Sequence, residues 1–156
     1  MFNFMRKRRL RFQDAEITLA LARDRVRDEE IGAVDGYAFD IIAASDGGCT
    51  GYVTVRIVES PALYYLGHIG YRIHPAWRGH GYAFKAVSML IPFLKDLGFG
   101  SVVITTDVDN VPSRKTCEHL LCTLESIVPV PQEYRQLCGG STQKCRYILL
   151  TGERDR

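Results

Sequence analysis

Apolar and polar positions alternate along the first half of the chain and change period near its middle. Ile17, Leu19 and Leu21 alternate with Thr18, Ala20 and Ala22, so Glu16–Arg27 predicts a strand with one face buried. Tyr37–Ala44 (YAFDIIAA) predicts a second strand, and Ser45-Asp46-Gly47-Gly48 after it is a turn signal. Gly51–Val58 (GYVTVRIV) is rich in β-branched residues and predicts a third strand, hairpinned to the second. Tyr64–His74 predicts a fourth, with Leu66, Ile69, Tyr71 and Ile73 as its apolar weight. The period then shifts. Val87, Leu90, Ile91 and Leu94 recur at helical spacing and predict a helix over Ala83–Leu97, which Pro92 should kink or shorten. Ser101–Thr106 (SVVITT) predicts a buried strand, Pro112–Cys122 a second helix, and Leu124–Val130 and Lys144–Leu150 two closing strands. The order β-β-β-β-α-β-α-β-β defines an α/β (mixed α+β) chain, a mixed sheet with few flanking helices.

Composition narrows this picture. A chain of 156 residues, 46% hydrophobic and 24% charged, fits one soluble domain and excludes disorder or coiled coil throughout. Arg6, Lys7, Arg8, Arg9 and Arg11 make residues 1–15 a basic arm, with 16–156 as the single folded domain. A net charge of +2 is too small to argue for a nucleic-acid partner. No segment approaches the roughly 20 apolar residues of a membrane span. No apolar run of a secretory signal follows the arm. The five cysteines are odd in number and never spaced C-x-x-C, which favours reduced thiols, a cytoplasmic location and no metal.

One segment carries chemistry. His74-Pro75-Ala76-Trp77-Arg78-Gly79-His80-Gly81-Tyr82-Ala83 lies between a strand and a helix. Its glycines let backbone amides approach a ligand, and the amides opening a helix lack internal partners at the positive end of the dipole. Together they suit a phosphate or pyrophosphate, and Arg78 adds a charged donor. Neither a P-loop nor a full dinucleotide fingerprint is present.

The segment resembles the acyl-coenzyme A loop of the GNAT N-acetyltransferase superfamily. The pattern Q/R-x-x-G-x-G/A is met by Arg78, Gly81 and Ala83, and Asn110 and Ser113 meet a downstream N-x-x-A/S. The runs GHIGYRIHP, RGHGYA and DVDNVPSRKTCE are similar to an uncharacterised bacterial branch. The resemblance implies a mostly antiparallel sheet of six to seven strands, splayed between the fourth and fifth. Acetyl-CoA would be the cosubstrate, its pantetheine arm along Tyr71–Ile73 and its pyrophosphate on amides from Gly79 to Ala83. The implied coenzyme contacts are Ile73, His74, Arg78, Gly79, His80, Gly81, Tyr82, Ala83, Asn110 and Ser113. The helical region usual after the first strand is missing, since residues 28–36 are too few for two helices.

The implied reaction is direct attack of a primary amine, on a small molecule or a peptide, in a ternary complex. His68 is the first candidate base, because histidine titrates near neutral pH; the same residue also fits a packed position in the sheet. Tyr71 is on the same strand, and the Ile73 amide could polarise a carbonyl. The family's usual proton donor is a tyrosine seven residues after the asparagine, where this chain has Cys117. Cys117, a water or Tyr134 are the alternatives left open for that proton, and Cys117 also reads as a buried helix residue. The missing tyrosine keeps a second reading open, a coenzyme-A-binding sensor or partner module. A third is a nucleic-acid-associated protein acting through the basic arm. A homodimer is left open, and acceptor specificity falls to the loops 28–36, 59–63 and 129–141.

Overall fold

The computed structural model describes residues 10–24, 36–57 and 59–152. Among them, eight strands form one sheet: β1 (Arg11–Gln13), β2 (Ile17–Asp24), β3 (Gly36–Ala43), β4 (Cys49–Arg56), β5 (Ile69–Ile73), β6 (Ser101–Thr106), β7 (Thr123–Pro129) and β8 (Gln143–Leu150). Their spatial order is β1-β2-β3-β4-β5-β6-β8-β7. Helices α1 (Leu63–Leu66), α2 (Tyr82–Asp96), α3 (Val111–His119) and α4 (Gln132–Arg135) connect them, with a 3-10 turn at Pro75–Trp77.

Every strand pair is antiparallel except β5 with β6. The β3–β4 turn forms where the Ser45–Gly48 signal lies, with Asp46 Oδ1 accepting the Gly48 amide at 2.8 Å. The alternating apolar positions Ile17, Leu19, Phe39, Ile41, Val53, Val55 and Ile69 share one sheet face. That face buries Ala86, Val87, Leu90 and Leu94 of α2, each 0% exposed. Burial of this kind contributes roughly 1.5–3 kcal/mol for each large side chain. It also explains Pro92. The helix runs on past it, because Leu90 and Leu94 are both in the core, and their burial outweighs one missing backbone bond.

Three sequence readings change here. The sheet has eight strands rather than six or seven, because Arg11–Gln13, assigned to the basic arm, pairs with Thr18–Ala20. Phe12 holds it there, with its ring 5.8 Å from Phe39 and 5.6 Å from Phe93. The rest of the arm, residues 1–9, lies outside the described residues, as do 25–35, which include most of the segment read as too short for two helices.

The stretch Tyr64–His74 is not one strand. Its first part is α1, started by the Leu63 amide donating to Ser60 Oγ at 3.2 Å. Gly67, at φ 76°, ends it, and an added Cβ there would come within 2.8 Å of the Val103 carbonyl oxygen. That close approach requires glycine and delays β5 until Ile69. His68 is therefore in the bend before the strand and not on it.

Candidate active site

β5 and β6 meet at one register pair, Ile69 with Ile104, and part beyond it. On its other side β5 is fully paired to β4, with the His74 amide donating to Thr50 O and the Arg56 amide to His68 O. Antiparallel alternation then turns the peptide groups of Tyr71 and Ile73 away from β4 and into the gap. The Ile73 carbonyl meets Arg78 Nε there, at 3.2 Å. The gap is thus an open strand edge of the kind that accepts an extended ligand.

The loop from Pro75 to Gly81 closes one end of it. Gly79 (φ 88°) and Gly81 (φ 72°) adopt a left-handed backbone, which brings the chain into α2 with Gly81 as N-cap. No side chain caps that end, so the first amides of α2 keep their donors for a ligand. Tyr82 braces the loop, stacked on His80 at 5.2 Å with Trp77 at 6.2 Å. Below lies a cleft of about 510 Å³. Its walls include Tyr71, Ile73, Arg78, Gly79, Gly81, Tyr82, Ala83, Asn110 and Ser113. Nine of the predicted residues therefore converge on one space.

Asn110 opens α3, its Oδ1 accepting the Ser113 amide at 3.2 Å. That turn sets Ser113 Oγ 2.8 Å from the Tyr71 hydroxyl across the cleft. Burial and the neighbouring Cys117 thiol push the tyrosine pKa well above its ordinary value, while Ser113 opposes them. Cys117 is 0% exposed and lies behind Tyr71 rather than on the cleft wall. A hydrogen bond that the Cys117 thiol donates to Cys122, together with burial, pushes its pKa far up, so it stays a neutral core group.

His68 lines neither the cleft nor its neighbouring cavity. Its Nδ1 accepts the Val103 amide at 2.9 Å, so its Nε2 carries the proton and donates to Glu59 at 2.6 Å. With both nitrogens engaged, and with His68 on neither cavity wall, the structure gives it a role in joining the sheet edges. His74 and His80 are also off the wall; His80 stacks on Tyr82, which is on it.

A smaller cavity, of about 180 Å³, shares Tyr71, Asn110 and Ser113 with the cleft and extends past Arg56, Thr106, Asp107 and Lys144. The sequence reading missed these four, and also Arg72 and Thr116 on the cleft wall. Thr116 could have been found, three residues after Ser113 on one helix face. The others come from strands far apart in the sequence, and no local pattern marks them. Among the described residues no group of three His, Cys, Asp or Glu could hold a metal ion, and no helix is long and apolar enough to cross a membrane. All five cysteines are free thiols.

A sheet opened at one parallel pair, with an uncapped helix at its mouth, defines a protein that takes an extended, anion-bearing carrier between its strands. The family model for the acetyltransferase (GNAT) domain matches residues 1–122, and the chain belongs to that family, the acetyl-CoA-dependent acyltransferases. No curated protein sequence matches it. Among solved structures, the ribosomal-protein-S5-alanine acetyltransferase from Vibrio fischeri has a TM-score of 0.68 at 12% identity, covering 94% of this chain and 100% of that one. A GNAT-family acetyltransferase from Bacillus anthracis has 0.58 at 18%, covering 74% and 67%. The microcin C7 self-immunity acetyltransferase MccE, solved with acetyl-CoA and AMP, has 0.58 at 25%, covering 74% of this chain; the match spans 61% of MccE.

The site residues fit acetyl-CoA. The open β5 edge matches a chain of amides, and the glycine loop with the uncapped α2 end matches a pyrophosphate.

Proposed function

We propose that this chain is an N-acetyltransferase that passes the acetyl group of acetyl-CoA to a primary amine by direct attack in a ternary complex. When bound, acetyl-CoA supplies an activated acyl carbon and a sulfur leaving group. The chain holds the carrier through the gap-facing peptides of Tyr71 and Ile73, the loop from Arg78 to Gly81, and the first amides of α2. One observation supports this reading above the others: the Tyr71 hydroxyl stands where cleft and smaller cavity meet, bonded to Ser113 Oγ at 2.8 Å.

Tyr71 keeps its proton through the neutral range, so it can give that proton to the departing sulfur. Ser113 orients the hydroxyl. The amine nitrogen forms the new bond to the acyl carbon as the carbon–sulfur bond breaks. Of the protons the amine sheds, one restores the Tyr71 hydroxyl and any other leaves to solvent, because neither cavity is lined by a histidine or a glutamate among the described residues.

The test is Tyr71→Phe, assayed by release of free thiol from acetyl-CoA with a panel of amines. Turnover is expected to fall by roughly 100-fold, the scale of one positioned acid. Calorimetry should show the acetyl-CoA affinity within about threefold of the parent. Turnover within twofold of the parent would remove Tyr71 from the reaction. Tight coenzyme binding with no amine turned over would favour the sensor reading.

A further inference from the structure

We propose that Cys117 and Cys122 form a redox switch: a hydroperoxide oxidises Cys122, a disulfide to Cys117 follows, and the sulfur behind the Tyr71 hydroxyl is drawn away from it. The backbone brings the pair together. α3 ends at His119, and the chain then folds back so that the Cys122 amide donates to the Cys117 carbonyl oxygen at 3.0 Å. That oxygen lies about 2.4 Å from its own Cα and the amide nitrogen about 1.5 Å from its own, so the two Cα atoms are within about 7 Å, the reach of a disulfide. The turn is held in a strained form. Leu121 takes φ 61°, and among the described residues it is the one non-glycine residue with a left-handed backbone. Helices ordinarily place glycine there. The leucine side chain is exposed, so its own burial does not offset the strain. Strain of this kind gathers at switch regions.

The side chains face each other as well, since the Cys117 thiol donates its hydrogen bond to Cys122. They differ in access. Cys122 is half-buried and Cys117 is fully buried, so an oxidant meets Cys122 first. One oxygen passes to the Cys122 sulfur, which becomes a sulfenic acid as the hydroperoxide is reduced to an alcohol or water. The Cys117 sulfur then attacks that sulfur. The S–S bond forms, the S–O bond breaks, and the hydroxyl leaves as water with the Cys117 proton. Cys117 is inert to reagents in solvent because burial keeps it protonated; contact with its neighbour supplies the proximity that the second step needs. The Cys117 sulfur also shares a hydrogen bond with the Tyr71 hydroxyl. Closing from contact to a covalent bond moves that sulfur toward Cys122 and off Tyr71, which links the oxidation state of α3 to the cleft. The effect on turnover rests on the acetyltransferase reading; the disulfide does not.

The protein is treated with hydrogen peroxide, cleared with catalase and blocked with iodoacetamide, beside a portion kept in dithiothreitol. Cleavage after lysine, arginine and glutamate separates Thr116–Glu118 from His119–Glu125. The oxidised sample should yield these peptides joined through their cysteines, and dithiothreitol should part them. The near-ultraviolet tyrosine band should change on oxidation in the parent and stay unchanged in Tyr71→Phe. Neither readout needs an acceptor, so both decide the switch even if no amine is turned over. With an amine that is turned over, oxidation should lower the parent's turnover at least about tenfold, as for a misplaced reacting group, and dithiothreitol should restore it. Cys122→Ser should keep turnover within twofold of the untreated parent before and after peroxide; Cys122→Ala repeats the test if the serine variant fails to fold. Separate peptides after peroxide, Cys117 joined to Cys145 instead, an unmoved tyrosine band, turnover unmoved by a formed disulfide, or a loss that persists in the Cys122 variants overturns the assignment.

Discussion

Tyr71 and His68 lie three residues apart, and only the tyrosine lines the two cavities. The tyrosine hydroxyl is buried beside Ser113 and Cys117 at the junction of two cavities, while the histidine ties β6 to the Glu59 loop. His68→Ala deprives the Val103 amide of its acceptor, a loss of about 1–3 kcal/mol. For a chain of this length that lowers the melting temperature by several degrees. Turnover below the transition should stay within twofold of the parent, and a hundredfold loss there would return His68 to the chemistry. The pH profile follows from the tyrosine. Because its pKa is raised, Tyr71 stays protonated, and so remains a competent donor, up to and beyond the ordinary value of about 10. The log of kcat/KM should therefore rise with pH until the amine's own pKa and then stay level to about pH 10. A fall between pH 7 and 9 would contradict this donor.

At the level of elements, what the sequence showed depended on how local each signal was. Periodicity located β2, β3, β4, α2, β6, α3, β7 and β8, because the apolar face of each is written in its own residues. It failed where a distant contact decides the backbone. Tyr64 and Tyr65 read as strand residues, yet the Gly67–Val103 approach leaves them in α1. Phe12 looked like part of a charged tail, and its aromatic partners Phe39 and Phe93 are 27 and 81 residues away. The glycine loop before α2 was legible because glycine, arginine and helix start fall within one short run. Gly81→Glu tests that element. The side chain would take a left-handed φ and set a negative charge at the α2 entrance, where an anion is expected. Calorimetry should show acetyl-CoA affinity reduced at least 100-fold, with the far-ultraviolet spectrum of the fold retained. An affinity within threefold of the parent would mean the pyrophosphate lies elsewhere.

The smaller cavity was the least legible part. Arg56, Thr106, Asp107 and Lys144 come together only because β4, β5, β6 and β8 are neighbours in space. Among the described residues the sheet is two antiparallel blocks, β1–β5 and β6–β8–β7, joined by the one β5–β6 register pair, by the Gly67–Ile104 bridge and His68–Val103 bonds just before β5, and by the core they share. The junction around Ile104 is thus the narrowest part of the hydrogen-bonded ladder.

That narrowness has an isotopic signature. Along β5, the amides of Gly70 and Arg72 are turned to β4, and those of Tyr71 and Ile73 are turned to the opening. Placed in heavy water, the free protein should take up deuterium in an odd–even rhythm, fast at 71 and 73 and slow at 70 and 72. Saturation with acetyl-CoA should flatten the rhythm by slowing the odd positions alone, as though a ninth strand had been slipped between the blocks.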